Sequence, residues 1–335
     1  MDVRIVNGIV RESRLFGPKC SRRRFLQGIF GLVATGGLLL SRASALEPAP
    51  FNYVDRRCFV RLPDGRRLAY LDIGDANATW VIFHQHGNPS AKAEGERFRP
   101  FLQSRPGVRM ITPDRPGIGD SDPEPNADYL SWPADLAALA DALCIRCFAL
   151  TGYSNGGTYA LAAARAMPER VHVVAIMSAL APFESMEGKK NLTTREADLA
   201  ENHPIFSRFL ITRTAAWALR HPDRLPVSAL FKSEEKKQMM RDSVPKKQGT
   251  FQQGGYEVVR EAAQMGESWG WWLPEVPTKV KLLHGCKDKN APPRMAQYLL
   301  NALPNAEIYW YPDDDHLTLI HRHPADLLAA ALPPV

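Results

Sequence analysis

The chain has 335 residues, 45% of them hydrophobic, with 42 Lys and Arg against 36 Asp and Glu and a net charge of +6. Eight of the basic residues but only two of the acidic ones lie within residues 1–45, so residues 46–335 are close to neutral. A near-neutral chain gives no reason to expect nucleic acid or an anionic membrane surface as a partner. Its length allows one large domain with an insertion.

The N-terminal segment, residues 1–45, has the pattern of a targeting signal. The run SRRRFLQ at residues 21–27 resembles the twin-arginine export signal. A weakly apolar run at residues 28–40 follows, shorter than the roughly 20 residues that span a membrane, and Ala43-Ser44-Ala45 is a small-residue cleavage pattern. We therefore expect the twin-arginine machinery to export the protein, which would be periplasmic or secreted, without stable membrane insertion after signal cleavage. An uncleaved N-terminal anchor and a chance basic patch are the alternatives.

From residue 46 onward, short apolar runs alternate with helical patterns, which is typical of βαβ units and a mostly parallel, doubly wound sheet. Strands are predicted at residues 57–62, 67–73, 80–84, 108–113, 147–151, 171–178, 280–284 and 307–311, and helices at 136–143, 156–167, 294–302 and 325–331. The first two strands should form a hairpin around Pro63-Asp64-Gly65.

The alternation stops between residues 181 and 270, where the sequence is helical and polar and predicts no strand. An excursion of this length is typical of a lid over a binding site, and surface decoration is the alternative. The predicted organisation is therefore a core in two parts, residues 46–180 and 271–335, with a helical lid at residues 181–270 between them.

The stretch ALTGYSNGGTYAL at residues 149–161 places Ser154 between a predicted strand and a predicted helix. The chain can reverse there within a few residues because glycines surround the serine. Such a turn would hold the Ser154 hydroxyl above the sheet at a helix N-terminus, where the dipole favours developing negative charge. A phosphate-binding loop is the competing use, but neither GK[ST] nor GxGxxG is present.

A serine hydroxyl needs a neighbouring base, which a carboxylate must orient. His316 follows the last predicted strand, and Asp288 follows the strand at residues 280–284. The order Ser154, Asp288, His316 is typical of one hydrolase architecture. The residues 313–315 are acidic but are too close in sequence to His316 to reach its Nδ1, and Glu184 is an alternative acid.

An oxyanion hole needs two backbone N–H donors aimed at one point. Asn155, directly after the serine, would supply one, and Asn88 in FHQHGNPSA would supply the other. His84 and His86 could form a metal pair, but no carboxylate or third histidine accompanies them at ligand spacing. We therefore expect no metal and no cofactor.

Five ordered segments, HGNPS, DRPGIGDSD, GYSNGG, HGCKD and DHLTL, resemble the α/β-hydrolase fold family over almost all of residues 55–335. The resemblance implies Ser154 as nucleophile, His316 as base, Asp288 as acid, and the N–H groups of Asn88 and Asn155 as oxyanion donors. HGNP is similar to haloalkane dehalogenases and epoxide hydrolases, but those use an aspartate nucleophile. A serine at that position indicates the serine branch and acyl chemistry.

The resemblance implies an exported hydrolase that cleaves a carboxylic ester of a small molecule through an acyl-enzyme. Three alternatives remain open: an aminopeptidase-like activity, a cofactor-free perhydrolase or haloperoxidase, and a non-catalytic binding protein of the same fold. A lid acid that captures a free amine would favour the first, with Glu201, Glu257 and Glu261 as candidates. The lid is expected to shape an apolar pocket to which Trp217, Trp269, Trp271 and Trp272 contribute.

Overall fold

A computed structural model describes residues 4–5, 51–187, 191–220, 233–246 and 248–333. The segment predicted as an export signal therefore lies outside the described residues, apart from Arg4 and Ile5. The strands are β1 (Arg4–Ile5), β2 (Tyr53–Arg61), β3 (Arg67–Asp75), β4 (Trp80–Gln85), β5 (Val108–Pro113), β6 (Phe148–Tyr153), β7 (Val171–Met177), β8 (Val280–Gly285) and β9 (Ala306–Tyr311).

These strands form one sheet in the order β1-β9-β8-β7-β6-β4-β5-β3-β2. The six strands from β4 to β9 are parallel to one another. The strand β3 pairs antiparallel with β5 and with β2, and the two-residue β1 pairs antiparallel with β9. The predicted mostly parallel sheet is confirmed. Its carboxyl edge collects the ends of β4, β6, β8 and β9, which is where open α/β sheets bind ligands.

The helices are α1 (Arg99–Leu102), α2 (Trp132–Ala142), α3 (Asn155–Ala166), α4 (Leu192–Asn202), α5 (Pro204–Arg220), α6 (Glu234–Lys246), α7 (Tyr256–Gln264), α8 (Pro293–Ala302), α9 (His316–Arg322) and α10 (Pro324–Ala330). Short 3₁₀ segments lie at Lys92–Phe98, Phe183–Met186, Gln248–Phe251 and Leu273–Glu275. The predicted start of α2 was wrong by four residues, because Pro133 occupies the first turn, where its missing N–H costs nothing.

Both faces of the sheet are buried, as the unbroken apolar runs of the parallel strands require. Phe83 and Phe148 belong to the hydrophobic cluster on one face, whereas Ile82 and Ala149 belong to the cluster on the other. Consecutive strand residues point to opposite faces, so these pairs feed two cores. The predicted doubly wound arrangement is confirmed.

The excursion between β7 and β8 covers residues 181–270, and we call it the lid segment after the lid that the sequence predicts there. Its described residues contain α4, α5, α6 and α7 and no strand. Ala197 on α4 and Ala262 on α7 are fully buried, so small side chains let these helices approach closely. Among the described residues, no helix has the length and apolar character needed to cross a membrane.

Candidate active site

The turn between β6 and α3 holds Ser154 in a conformation that few non-glycine residues adopt, with φ 53° and ψ −126°. The flanking glycines are needed because backbone passes close to them. A Cβ on Gly152 would lie 2.5 Å from the Gly156 carbonyl oxygen, and one on Gly156 would lie 2.1 Å from the Gln85 carbonyl oxygen. The glycine-rich sequence thus permits a sharp turn that projects Ser154 from the end of β6.

A chain of hydrogen bonds joins Ser154, His316 and Asp288. The Ser154 Oγ lies 3.0 Å from His316 Nε2, and His316 Nδ1 lies 2.8 Å from Asp288 Oδ2. The three residues follow β6, β8 and β9, so the fold brings together groups separated by up to 162 positions. The structure places all three predicted residues in one hydrogen-bonded arrangement.

The protonation of this chain follows from the state of Asp288. Burial alone would raise the pKa of Asp288, but the charge of His316 and its hydrogen bond hold that pKa below its ordinary value. The other oxygen, Oδ1, accepts the N–H groups of Asn290 and Ala291 at 2.9 Å each. An ionised carboxylate only accepts, so His316 Nδ1 donates and Nε2 is left to accept the Ser154 hydroxyl proton.

The rival acids have other partners. Asp313 pairs with Lys287, Asp314 pairs with Arg322, and Glu184 accepts the hydroxyl of Tyr298. Asp315 caps the N-terminus of α9. Its Oδ1 accepts the N–H groups of Leu317 and Thr318, and its Oδ2 pairs with Lys236 of the lid segment.

Tyr153 contacts His316, a relationship that the sequence analysis did not find. The Tyr153 hydroxyl donates to the His316 carbonyl oxygen at 2.8 Å, and the ring centroids lie 5.1 Å apart. The only available signal was an aromatic residue directly before the serine, which is too common a pattern to indicate a contact 163 positions away.

The two predicted oxyanion donors lie on segments adjacent to Ser154. Asn155 is the first residue of α3, so its N–H has no acceptor within the helix, and its side-chain oxygen accepts the Tyr129 hydroxyl at 2.7 Å. A Cβ on Gly87 would lie 3.5 Å from the Ser154 Cβ, so the loop that contains Asn88 passes directly against the serine. We call residues 86–89 the oxyanion loop.

A buried carboxylate holds one side of the oxyanion loop. Glu94 Oε1 accepts the His84 Nε2–H at 3.0 Å and the Gly87 N–H at 3.2 Å. Burial would raise the pKa of Glu94, but the hydrogen bond and charge of His84 outweigh it and lower the pKa to about 2. The Gly87 N–H is already bonded to Glu94, so the next backbone donor along this loop is the Asn88 N–H.

A buried arginine holds the other side. Arg115 and Glu261 form a bidentate ion pair of 2.7 and 2.8 Å, and each side chain is only 1% exposed. The same guanidinium donates to the carbonyl oxygens of His86 at 2.6 Å and Gly87 at 3.2 Å. Burial, followed by the Arg115 charge, lowers the pKa of His86 to about 3, so its ring is neutral.

His84 in β4 and His86 directly after it both have hydrogen-bond partners within the protein. His86 Nδ1 donates to the Gly87 carbonyl oxygen at 2.8 Å, and His84 Nδ1 lies 2.9 Å from Thr151 Oγ1. Within the described part of the chain, no group of three or more His, Cys, Asp or Glu is placed to hold a metal ion.

A cavity of about 1260 Å³ opens above Ser154 and His316. The lid segment contributes Asn191, Thr193, Arg195, Glu196, Lys236, Met240, Ser243 and Met265 to its lining. The expectation that tryptophans line it was wrong for three of the four. The rings of Trp269 and Trp271 are buried, with their centroids 5.2 Å apart. Trp272 is 74% exposed. The Trp217 side chain lies outside the described residues.

The lid acids considered for amine capture do not line this cavity. Glu257 pairs with Arg260, and Glu261 pairs with Arg115. Glu201 is exposed, and its Oε2 lies 3.8 Å from where a Cβ on Gly266 would be.

Residues 80–331 match the alpha/beta hydrolase family. This match covers most of the chain, so the protein belongs to that family. The prediction that it is an enzyme of the α/β-hydrolase class is confirmed. The match includes every residue of the hydrogen-bonded chain and both predicted oxyanion donors.

Individual relatives match over shorter spans. A non-heme chloroperoxidase of Streptomyces lividans is 38% identical over 125 residues, 37% of this chain and 45% of the relative. A haloalkane dehalogenase of Mesorhizobium japonicum is 31% identical over 147 residues, 43% of this chain and 46% of the relative. The matches thus span less than half of these relatives. A thermophilic esterase of Thermogutta terrifontis has a similar fold, with a TM-score of 0.55, 21% identity, and coverage of 82% of this chain and 96% of the esterase.

Proposed function

We propose that the protein is a serine hydrolase that cleaves a carboxylic ester through an acyl-enzyme on Ser154. The observation that carries the proposal is the continuous chain from Ser154 Oγ through His316 to Asp288, with distances of 3.0 and 2.8 Å, at the floor of the cavity. A nucleophile, a base and an orienting carboxylate in this relation are the working parts of acyl transfer.

In the first half-reaction, Ser154 Oγ attacks the ester carbonyl carbon while its proton passes to His316 Nε2. Asp288 stabilises the resulting imidazolium through Nδ1–H. The N–H groups of Asn88 and Asn155 would donate to the carbonyl oxygen as it becomes negative. When the tetrahedral intermediate collapses, the C–O bond to the alcohol breaks and His316 returns the proton to the leaving oxygen.

In the second half-reaction, His316 Nε2 takes a proton from water, whose oxygen attacks the acyl carbon. The second tetrahedral intermediate releases the carboxylic acid, and His316 returns the proton to Ser154 Oγ. Neither half-reaction calls on a group from outside the protein except ester and water.

A haloperoxidase or perhydrolase activity is the second candidate, favoured by the 38% identity to the chloroperoxidase. Hydrogen peroxide would replace water in the second half-reaction and release a peracid. The aminopeptidase alternative gains no support from the lid acids Glu257 and Glu261, because both have cationic partners.

Export by the twin-arginine machinery to the periplasm or outside remains part of the proposal and rests on the run at residues 21–27. We expect the conservative double variant Arg22→Lys and Arg23→Lys to remain in the cytoplasm, measured by fractionation with a cytoplasmic marker. Export of the variant at the wild-type level would contradict this route.

We likewise propose residues 181–270 as the lid, because eight of its residues line the cavity.

The central test uses the protein beginning at Leu46. We expect a fluorophosphonate probe to label Ser154 in the folded protein, and labelling to fall sharply in His316→Ala. The absence of an adduct, or equal labelling in His316→Ala, would refute the serine hydrolase and favour the non-catalytic binding protein.

Substrate class is tested with p-nitrophenyl esters of rising chain length, with aminoacyl amides and with peroxide plus a carboxylic acid. We expect ester hydrolysis to dominate. Cleavage of amides alone would assign an aminopeptidase, and peracid formation exceeding ester hydrolysis would assign a perhydrolase.

A further inference from the structure

Arg115 donates hydrogen bonds to two carbonyl groups of the oxyanion loop, and Glu261, 146 positions later in the chain, pairs with Arg115. We propose that Arg115 and Glu261 form a positioning pair, which aims the Asn88 N–H at the oxyanion and so makes α7 of the lid segment part of the catalytic frame. This inference rests on the proposed acyl chemistry. It assigns a task to a buried ion pair that the reaction steps above do not use.

The peptide unit that joins Gly87 and Asn88 is held from the buried side. The Gly87 carbonyl oxygen and the Asn88 N–H belong to the same planar unit, and in a trans peptide they point in opposite directions. Arg115 Nη2 and His86 Nδ1 hold that oxygen at 3.2 and 2.8 Å on the buried side. The Asn88 N–H is thereby directed away from the arginine.

The preceding peptide unit is held at both ends. Arg115 Nη1 donates to the His86 carbonyl oxygen at 2.6 Å, and the Gly87 N–H of the same unit donates to Glu94. Two consecutive peptide planes are therefore held by two buried charged side chains, Arg115 and Glu94, and by the neutral ring of His86. A loop so restrained can offer an N–H donor without reorganising during the reaction, which is the condition for effective oxyanion stabilisation.

Glu261 in turn determines where the Arg115 guanidinium sits. Two parallel hydrogen bonds to one carboxylate fix the plane of an arginine fork as well as its position. The Tyr159 ring lies under the guanidinium, 4.3 Å from its carbon to the ring centroid. Without the Glu261 carboxylate, the buried Arg115 guanidinium would still contact two loop carbonyl groups and the Tyr159 ring, but its positive charge would have no negative partner.

The helix that carries Glu261 is fastened to the same loop a second time. Asn88 Nδ2 donates to the Val258 carbonyl oxygen at 3.1 Å, one turn before Glu261. The loop after β5 also lies against α7, since a Cβ on Gly117 would lie 2.2 Å from the Glu257 Cγ. Helix α7 therefore supports the oxyanion loop rather than moving as a free cover.

The test compares Glu261→Gln with the wild type on an ester substrate. We expect kcat to fall by about 10- to 100-fold with KM changed less than twofold, because a misaligned donor weakens the transition state more than the bound ester. Affinity for a trifluoromethyl ketone, which forms a tetrahedral adduct on serine, should fall by the same factor as kcat/KM. Unchanged kcat, or a loss confined to KM, would overturn the inference.

Two further variants separate positioning from stability. Asp72→Asn is the matched control, because Asp72 is a fully buried carboxylate in a bidentate pair with Arg109 on another part of the sheet. We expect it to lower thermal stability and leave kcat per folded molecule unchanged. The double variant Arg115→Met with Glu261→Met removes both charges together, which restores stability in many buried pairs. We expect its kcat to remain low, and recovery of kcat together with stability would show a purely structural role.

The wild type distinguishes the two proposals. If it neither hydrolyses esters nor reacts with a fluorophosphonate, the proposed function and this inference both fail. If it does both and Glu261→Gln retains full kcat, the inference alone fails.

Discussion

The Tyr153 hydroxyl donates a hydrogen bond of 2.8 Å to the carbonyl oxygen of His316, while the two rings lie 5.1 Å apart. Tyr153 directly precedes the candidate nucleophile. The residue next to Ser154 thus holds the backbone of the candidate base, so the positions of the serine and the imidazole depend on each other.

The first prediction concerns this contact. We expect Tyr153→Phe to lower kcat by about 3- to 10-fold and leave KM unchanged, since one hydrogen bond worth about 1 kcal/mol orients the imidazole. Ester hydrolysis measures the effect. Tyr298→Phe, which removes an exposed bond to Glu184, is the control and should retain wild-type kcat. Wild-type kcat in Tyr153→Phe would show that packing alone holds His316.

The second prediction concerns the orienting carboxylate. We expect Asp288→Asn to lower kcat by about 10⁴-fold, because an amide does not stabilise the imidazolium or enforce the Nδ1–H tautomer. Steady-state ester hydrolysis measures this loss. Asp313→Asn changes a carboxylate whose side chain is 85% exposed and pairs with Lys287, and it should leave kcat within twofold. Equal effects of the two substitutions would remove Asp288 from the mechanism.

The third prediction concerns stability in acid. Burial and the charge of Arg115 lower the pKa of His86 from 6.5 to about 3, so below pH 6.5 the unfolded chain takes up a proton that the folded protein does not. The free energy of unfolding should therefore fall by about 1.4 kcal/mol per pH unit from this residue as the pH drops toward 3. Glu94, lowered from 4.5 to about 2, adds a loss of the same sign below pH 4.5.

Urea denaturation between pH 7 and pH 4 measures this dependence. We expect a shallower slope between pH 6.5 and 4.5 in His86→Asn, which has no titrating ring at that position. His203→Asn, a substitution at an exposed lid residue, should keep the wild-type slope. A slope in His86→Asn equal to that of the wild type would mean that His86 titrates normally in the folded protein.

The fourth prediction concerns substrate length. Met240 of α6 lines the cavity, whereas its neighbour Met239 is outside that lining. We expect Met240→Trp to lower kcat/KM for long-chain esters by about 10-fold and to spare short ones, because the larger ring fills space that a long acyl chain would occupy. Met239→Trp is the matched control. Equal loss for all chain lengths would indicate damage to the site rather than a narrower pocket.

The sequence predicted the strands well because their apolar runs are short and bounded by turn residues. The strand predicted at residues 147–151 corresponds to Phe148–Tyr153, and the one at 108–113 has the same bounds in the structure. The arrangement of Ser154, Asp288 and His316 was equally accessible, since each follows a strand end in a characteristic order.

What the sequence did not predict depends on contacts between distant residues. Nothing local to Arg115 indicates a carboxylate 146 positions later, and Glu261 was considered only as an amine-binding acid. Trp269 and Trp271 were expected in the pocket but pack inward, because amphipathic patterns do not say which apolar surface a side chain will cover.

The Arg115–Glu261 pair also limits how the protein can be engineered. A chimaera that takes its lid segment from a relative replaces residue 261 together with the residues that line the cavity. Selectivity and turnover would then change in a single exchange, even though the candidate nucleophile, base and acid all come from the recipient. Grafted lids should therefore keep a glutamate at position 261, or bring the donor's own residue at position 115 with them.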